Sequence, residues 1–183
     1  MNGIPGFKLE KAIVDRRVEV LRRRGIIFAL NTRVGRDVSF ATLRANYDAV
    51  FLGIGAQKAK PLDVQGAELN GVYPALPFLI EKNVPDSPVE RTDVRGKRVA
   101  VLGGGDTAMD CLRTALRAGA AEAVCIYRRD LENMPGSRKE YYNAVEEGAR
   151  FGRFASDAFA GVGVELNASL APELDDRRFI RIF

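Results

Sequence analysis

Residues 97–129 read KRVAVLGGGDTAMDCLRTALRAGAAEAVCIYRR, a pattern that alternates between strand-like and helix-like segments. The apolar run at 97–102 predicts a strand, and the three glycines at 103–105 predict a tight turn directly after it. Residues 106–117 carry apolar side chains at helical spacing, and residues 123–127 predict a second strand. Such a β-α-β unit predicts an α/β fold of the Rossmann type with a parallel sheet and a right-handed crossover.

The glycine turn matches the dinucleotide fingerprint G-x-G-x-x-A at Gly103, Gly105 and Ala108. Gly103 permits the sharp turn, Gly105 lets a pyrophosphate approach the backbone, and Ala108 lets the helix pack closely on the strand. The helix N-terminus then offers free N–H groups and a positive dipole end. A glycine-rich turn without a ligand is the alternative, but the surrounding β-α-β unit favours a nucleotide site. The predicted binding residues of this turn are Gly103, Gly104, Gly105, Asp106, Thr107 and Ala108.

The end of the second strand indicates which nucleotide binds. An NAD site would place an acidic residue there for the ribose 2′-hydroxyl, whereas this chain has Arg128 and Arg129. A pair of guanidinium groups can instead bind a 2′-phosphate through charge-assisted hydrogen bonds. The pattern therefore favours NADPH over NADH, although Asp130 could pair with one of the arginines. Arg138 is a weaker third candidate for the phosphate.

The composition excludes several kinds of chemistry. The 183 residues are 46% hydrophobic and 28% charged, as in a soluble globular protein, and include no histidine. Histidine-dependent nucleophiles and general acid–base catalysis are therefore excluded, and neither a catalytic residue nor a metal ligand is assigned. The two cysteines, Cys111 and Cys125, are too few for a disulfide scaffold or an iron–sulfur cluster, and we expect both to be buried.

Charge and hydropathy argue against two classes of partner. The net charge of +4 is mild, and the chain lacks a basic stripe with stacking aromatic side chains, so no nucleic-acid partner is predicted. No apolar run reaches the roughly 20 residues that a membrane span needs, and the N-terminus has no signal-peptide pattern. We predict a cytoplasmic protein without a membrane partner.

The residues before the glycine turn predict further elements. Helices are expected at about 8–24, 39–45 and 76–82, with a short strand at 26–30 and a buried strand at 48–56. The glycines near the end of that buried strand suggest a close approach of another group to the backbone, although a plain turn is nearly as consistent.

Residues 83–96 contain two prolines and few bulky apolar side chains, which predicts a linker. The predicted organisation is a front part at 1–82, the linker, a β-α-β domain at 97–151 and a divergent tail at 152–183. The tail is rich in Ala and Gly where a strand, a polar turn and a second strand would be expected.

Several stretches resemble the small subunit of NADPH-dependent glutamate synthase, a flavoprotein of the pyridine nucleotide-disulfide oxidoreductase superfamily. The resemblance covers about residues 2–151. It is carried by residues 3–9 (GIPGFKL), 31–35 (NTRVG), 47–56 (YDAVFLGIGA), 101–111 (VLGGGDTAMDC), 127–129 (YRR) and 133–138 (NMPGSR). Dihydropyrimidine dehydrogenase and related ferredoxin:NADP reductases share the pattern.

The resemblance implies that NADPH binds the β-α-β domain and passes hydride to FAD. Electrons would then pass through iron–sulfur clusters to a large subunit that forms glutamate. The front part would be a segment of the FAD-binding domain, with Gly53, Gly55 and Ala56 beside the flavin.

The chain also departs from the family pattern. The N-terminal FAD fingerprint and the cluster cysteines are missing, which suggests an internal fragment of a longer protein. An alternative is a nucleotide-binding or subunit-docking module without redox activity of its own. Nothing in the sequence distinguishes glutamate, pyrimidine and ferredoxin chemistry except overall likeness.

Overall fold

A computed structural model describes residues 3–55, 58, 61, 67–84, 92–127, 129–153 and 179–183. Described elements follow in chain order: α1 Lys11–Arg23, α2 Phe40–Asn46, β1 Val72–Tyr73, α3 Ala75–Asn83, β2 Arg98–Leu102, α4 Asp106–Arg117, β3 Glu122–Tyr127, α5 Arg138–Glu146, β4 Arg150–Arg153 and β5 Phe179–Ile182. Within these residues, no helix is long and apolar enough to cross a membrane.

The five described strands form one parallel sheet in the order β1-β5-β2-β3-β4. β2 pairs with β3 along its whole length, from Arg98 opposite Glu122 to Leu102 opposite Ile126. On its other side β2 pairs with β5, where Val101 lies opposite Ile182. The predicted α/β class with a parallel sheet and the predicted strand–turn–helix–strand unit are thus confirmed.

The core lies between the sheet and helices α3 and α4. Helix α4 buries one face completely, and its side chains Met109 and Leu112 are 0% exposed. Burying side chains of this size contributes about 1.5–3 kcal/mol each. The central buried cluster also includes Phe78, Leu79, Val94, Val99, Val101, Ala123, Ile180 and Ile182. Both predicted cysteines belong to it, as small buried side chains.

The end of the expected tail belongs to the sheet. β5 lies between β1 and β2, and Ile180 and Ile182 are buried in the core. The Phe183 N–H donates to the Tyr73 carbonyl oxygen at 3.1 Å, which ties the strand end to β1. The expectation of a tail outside the domain needs this correction, because an apolar strand of only four residues gains its stability from two neighbouring strands. Residues 154–178 lie outside the described residues.

The chain divides into two compact units, Met1–Lys8 with Lys60–Phe183, and Leu9–Ala59. The division falls earlier than the predicted linker at 83–96, since α3 packs against α4 in the unit that contains the sheet. Residues 85–91 of that linker lie outside the described residues, whereas Thr92 and Val94 are buried. The assignment of a flavin segment and an NADPH domain stays a prediction.

Helices α1 and α2 of the Leu9–Ala59 unit confirm the predicted helices, but the two predicted strands are wrong. Residues 26–29 and 49–55 have no strand pairing, and Ile27 is 92% and Phe51 94% exposed. A strand needs a neighbour to accept its backbone hydrogen bonds, and among the described residues of this unit none lies beside these segments. None of the unit's described residues is buried.

We expect the purified chain to self-associate, because exposed apolar segments of strand-like composition bury themselves against other molecules. Sedimentation velocity over a concentration series should show species larger than the 20.1 kDa monomer. The double variant Ile27→Lys/Phe51→Lys should shift the distribution toward monomer, whereas Thr32→Lys, which adds a charge at an exposed polar position, should not. A chain that stays monomeric at all concentrations would contradict this expectation.

Candidate functional site

The glycine turn lies at the carboxyl edge of the sheet, where the strand order changes direction. From β2 the chain continues to β3 on one side, whereas β5 lies on the other side. Parallel strands place their carboxyl ends at the same edge, so the turn after β2 lies beside the end of β5. In open α/β sheets this switch point forms the crevice in which ligands bind.

Each residue of the turn has a different physical reason for its size. Gly103 has a φ of +135°, a region that side chains rarely adopt. A Cβ built on Gly103 would lie 3.9 Å from the Cβ of Ala108, so the start of α4 runs close to the end of β2. The Gly103 carbonyl oxygen also accepts a hydrogen bond from the Cys125 thiol at 3.1 Å.

Gly104 is required by the protein itself. It is buried, and a Cβ on it would lie 2.8 Å from two ring atoms of Tyr127 and 2.9 Å from Cγ of Met134. Real side chains do not approach so closely. The middle glycine therefore serves packing between the turn, β3 and the following loop.

At Gly105, neither the backbone angles nor a close neighbouring atom requires a glycine. Its φ of −88° and ψ of 173° are extended values that any residue adopts, and a Cβ on it would meet no heavy atom within 4 Å. Nothing in the described protein thus demands a glycine at this position. The open space next to the Gly105 backbone is where the fingerprint places a pyrophosphate.

The residue before the first turn of α4, its N-cap, is Gly105, so no side chain caps this helix. The Gly105 carbonyl oxygen accepts from the Ala108 and Met109 N–H groups at 2.9 and 3.2 Å. Neither Asp106 nor Thr107 caps this helix. Both residues lie inside the helix and are exposed, and the Asp106 carboxylate accepts instead from the Ser137 N–H at 2.7 Å.

Of the residues predicted to bind the 2′-phosphate, Arg129 and Arg138 are among the described residues. Arg128 lies outside the described residues, whereas Arg129 is exposed and, within the described part of the chain, makes no hydrogen bond or ion pair. The Asp130 carboxylate accepts two hydrogen bonds from Asn133, at 2.9 Å from its backbone and 2.7 Å from its side chain. Arg138 is exposed as the first residue of α5.

The second predicted set of cofactor residues is not assembled into a site. Gly53 and Gly55 lie in the exposed segment without strand pairing, and Ala56 lies outside the described residues. A Cβ on Gly53 would contact only the ring of Phe51. Within the described residues, Gly53 and Gly55 form no cradle for a flavin, and the predicted proximity of FAD to this segment stays a prediction.

Burial keeps both cysteines in the thiol form at neutral pH. Burial raises the pKa of the Cys125 thiol to about 12. Burial also raises the pKa of Cys111, and the neighbouring Asp110 carboxylate adds to the shift. Only the thiolate is a nucleophile, so both thiols remain inert.

The sequence did not predict that the loop after β3 contacts the glycine turn. The loop packs over the glycine turn, and the Gly136 N–H donates to the Gly104 carbonyl oxygen at 2.9 Å. The Tyr127 hydroxyl donates to the Asn133 carbonyl oxygen at 3.1 Å and holds the loop from its other end. The turn-forming Pro135-Gly136-Ser137 sequence was the available signal, but it does not reveal what the loop contacts.

Partly buried salt bridges join helix α4 to α5 and to Glu147, the residue that follows α5. Arg113 pairs with Glu140 at 2.8 Å and with Glu147 at 2.7 Å. The Arg117 guanidinium also pairs with Glu147, which lowers the pKa of that carboxyl. The Cζ atoms of Arg113 and Arg117 lie 4.3 and 4.5 Å from the centre of the Phe7 ring. The N-terminal segment therefore covers this network.

The parallel sheet, its switch point and the glycine turn define an α/β fold of the Rossmann type that carries a dinucleotide fingerprint. No protein-family model matches the chain. The small chain of NADPH glutamate synthase from Escherichia coli is 52% identical over 157 residues, which are 81% of this chain and 33% of that protein. The predicted resemblance to the glutamate synthase small chain is therefore confirmed.

Two further comparisons extend this finding. The beta subunit of an NADPH-Fe(3+) oxidoreductase from Geobacter sulfurreducens is 37% identical over 155 residues, 81% of this chain and 22% of that protein. The structure of FprA from Mycobacterium tuberculosis in complex with NADPH superposes with a TM-score of 0.61 at 21% identity, over the whole of this chain and 48% of that one. The FprA likeness concerns the fold. The chain spans a third or less of the length of these two sequence relatives.

Proposed function

We propose that this chain carries the NADPH-binding part of an oxidoreductase similar to the glutamate synthase small chain. The observation that carries the proposal is Gly105, the one fingerprint position whose missing Cβ leaves open space at the carboxyl edge of the sheet. The relatives are named for NADPH, and the FprA structure of the same fold contains NADPH.

In this proposal the pyrophosphate lies against the backbone of residues 103–108, where the start of α4 supplies N–H groups and a positive dipole end. The space where a Cβ of residue 105 would lie is open, so the phosphate can approach the Gly105 backbone closely. Arg128 and Arg129 bind the 2′-phosphate. Because Arg129 is exposed, its guanidinium group is accessible to a phosphate, which would displace no ion pair formed with another described residue.

The nicotinamide is the hydride donor when NADPH is bound. The resemblance implies FAD as the acceptor, iron–sulfur clusters as the next carriers and a large subunit as the partner. Gly53 and Gly55 form no flavin cradle within the described residues, so a complete flavin site, like the cluster sites, would need residues of a longer protein or of a partner subunit. The chain's own task is then to bind and orient the nucleotide.

Isothermal titration tests the proposal directly. We expect NADPH to bind with one site per chain and more tightly than NADH. A chain that binds neither nucleotide would overturn the proposal.

The second candidate function is a nucleotide-binding or docking module without redox activity. It is favoured by the Leu9–Ala59 unit, none of whose described residues is buried. Both candidates share the nucleotide site, and they differ in whether the chain retains a flavin.

We expect the chain alone to be unable to sustain NADPH oxidation. Hydride transfer to a flavin requires two nucleotides held face to face, and the sequence contains one fingerprint. Without histidine, it also has few side chains suited to proton transfer near pH 7. The measurement is NADPH oxidation with an artificial acceptor after reconstitution with FAD. Stoichiometric flavin retention with steady turnover would contradict the expectation.

A further inference from the structure

We infer that Gly136 and Asp106 are positioning residues that hold the β3–α5 loop on the glycine turn and so set the preference for a 2′-phosphorylated nucleotide. By the β3–α5 loop we mean residues 128–137, of which 129–137 are described. The inference rests on the proposed function, because it concerns the same nucleotide site. Neither side chain needs to touch the nucleotide for this role.

Gly136 is fitted against the backbone of the turn. A Cβ on it would lie 2.8 Å from the Gly104 carbonyl oxygen, 3.3 Å from the carbonyl carbon of Gly105 and 3.4 Å from the Asp106 nitrogen. These atoms are backbone and cannot swing aside as a flexible side chain can. Gly136 does not have a positive φ, so the close approach, rather than its own conformation, is what requires a glycine.

Asp106 makes the second attachment. Its Oδ1 accepts from the Ser137 N–H at 2.7 Å, and Ser137 is the residue that caps α5 by accepting from the Glu140 N–H. The carboxylate therefore joins the first turn of α4 to the N-terminus of α5. A negative charge is favourable beside the positive ends of two helices, which stabilises this bond.

The two attachments fix the place of the candidate phosphate ligands. Arg138 follows Ser137 directly, and Arg129 begins the described part of the loop. Because the loop is attached at the turn itself, the cations are held at a set distance from the place of the pyrophosphate. Displacement of a binding group by about 1 Å can cost on the order of a hundredfold in a site that depends on geometry.

The test compares the affinities of NADPH and NADH by titration calorimetry. The two nucleotides differ only in the 2′-phosphate, so the ratio of the NADPH affinity to the NADH affinity isolates recognition of that group. We expect Gly136→Ala and Asp106→Ala to lower this ratio by about tenfold or more, as expected when a charge-assisted hydrogen bond is lost. Asp106→Asn keeps an acceptor oxygen for the Ser137 N–H and should retain most of the ratio.

Gly6→Ala is the matched control, because a Cβ on Gly6 meets nothing within 4 Å and its φ is not positive. Thermal melts followed by circular dichroism establish that each variant is folded. A purely structural role would lower both affinities together and leave their ratio unchanged.

The outcomes separate the inference from the proposed function. An unchanged ratio in folded Gly136→Ala and Asp106→Ala would overturn the inference while leaving the nucleotide site intact. A wild-type chain that binds neither NADPH nor NADH would overturn the proposed function and, with it, this inference. A lowered ratio in both variants, with rescue in Asp106→Asn, supports it.

Discussion

The Gly105→Val variant is expected to fold and to lose NADPH affinity by a factor on the order of a hundred or more, or about 2.7 kcal/mol. The valine side chain would project into the open space beside the backbone, where the pyrophosphate is proposed to lie. The backbone at Gly105 is extended, so a β-branched residue fits it without strain. Loss of a glycine from the N-cap costs at most about 1 kcal/mol of stability.

Nucleotide titration and a thermal melt check this prediction together. Gly6→Val is the control for adding a side chain in open space, and it should leave NADPH affinity unchanged. Gly104→Val gives the contrast, because its side chain would collide with Tyr127 and Met134 and destabilise the fold itself. Unchanged NADPH affinity in folded Gly105→Val would show that the turn is structural only.

Replacement of Arg128 and Arg129 by alanine is expected to weaken NADPH far more than NADH. Each charge-assisted contact to the 2′-phosphate contributes roughly 1–3 kcal/mol, and NADH lacks the phosphate that receives it. The double variant should therefore bring the two affinities close together. The difference should also shrink as salt is added, because exposed charges are screened.

The matched control replaces Arg16 and Arg17 by alanine. These two adjacent residues of α1 are exposed, and their replacement removes the same net charge. It separates a local contact with the phosphate from the effect of net charge on an anionic ligand. Equal losses for NADPH and NADH in the Arg128/Arg129 variant would contradict the 2′-phosphate assignment.

The β-α-β unit was predictable because its signals are local. The apolar run of β2, the glycines after it and the helical spacing of α4 are read from neighbouring residues, and α4 was predicted at its observed bounds, Asp106–Arg117. The fingerprint also pointed to Gly105 as a position left free for a ligand, and the open space at its Cβ agrees with that interpretation.

The strands predicted at 26–30 and 48–56 show where local signals are insufficient. Composition alone favours a strand there, but a strand exists only where a neighbour accepts its hydrogen bonds, and the described residues of that unit provide none. For β5 the local signal failed in the other direction. The Ala- and Gly-rich stretch before it did not predict a strand, yet β5 is buried between β1 and β2. Pairing between distant segments decides both outcomes.

The amino-acid sequence alone therefore determined the fold class and the glycine turn, because each depends on the chemistry of a few consecutive residues. The assignment of Arg128 and Arg129 to a 2′-phosphate stays a prediction. Only the tertiary structure showed that packing requires a glycine at Gly104, and that neither the backbone angle nor a neighbouring atom requires one at Gly105. It alone also showed that Gly136 and Asp106 attach the β3–α5 loop to the turn. Asp106 and Ser137 are 31 positions apart in the chain, and contacts over such a separation arise from packing, which local sequence patterns do not encode.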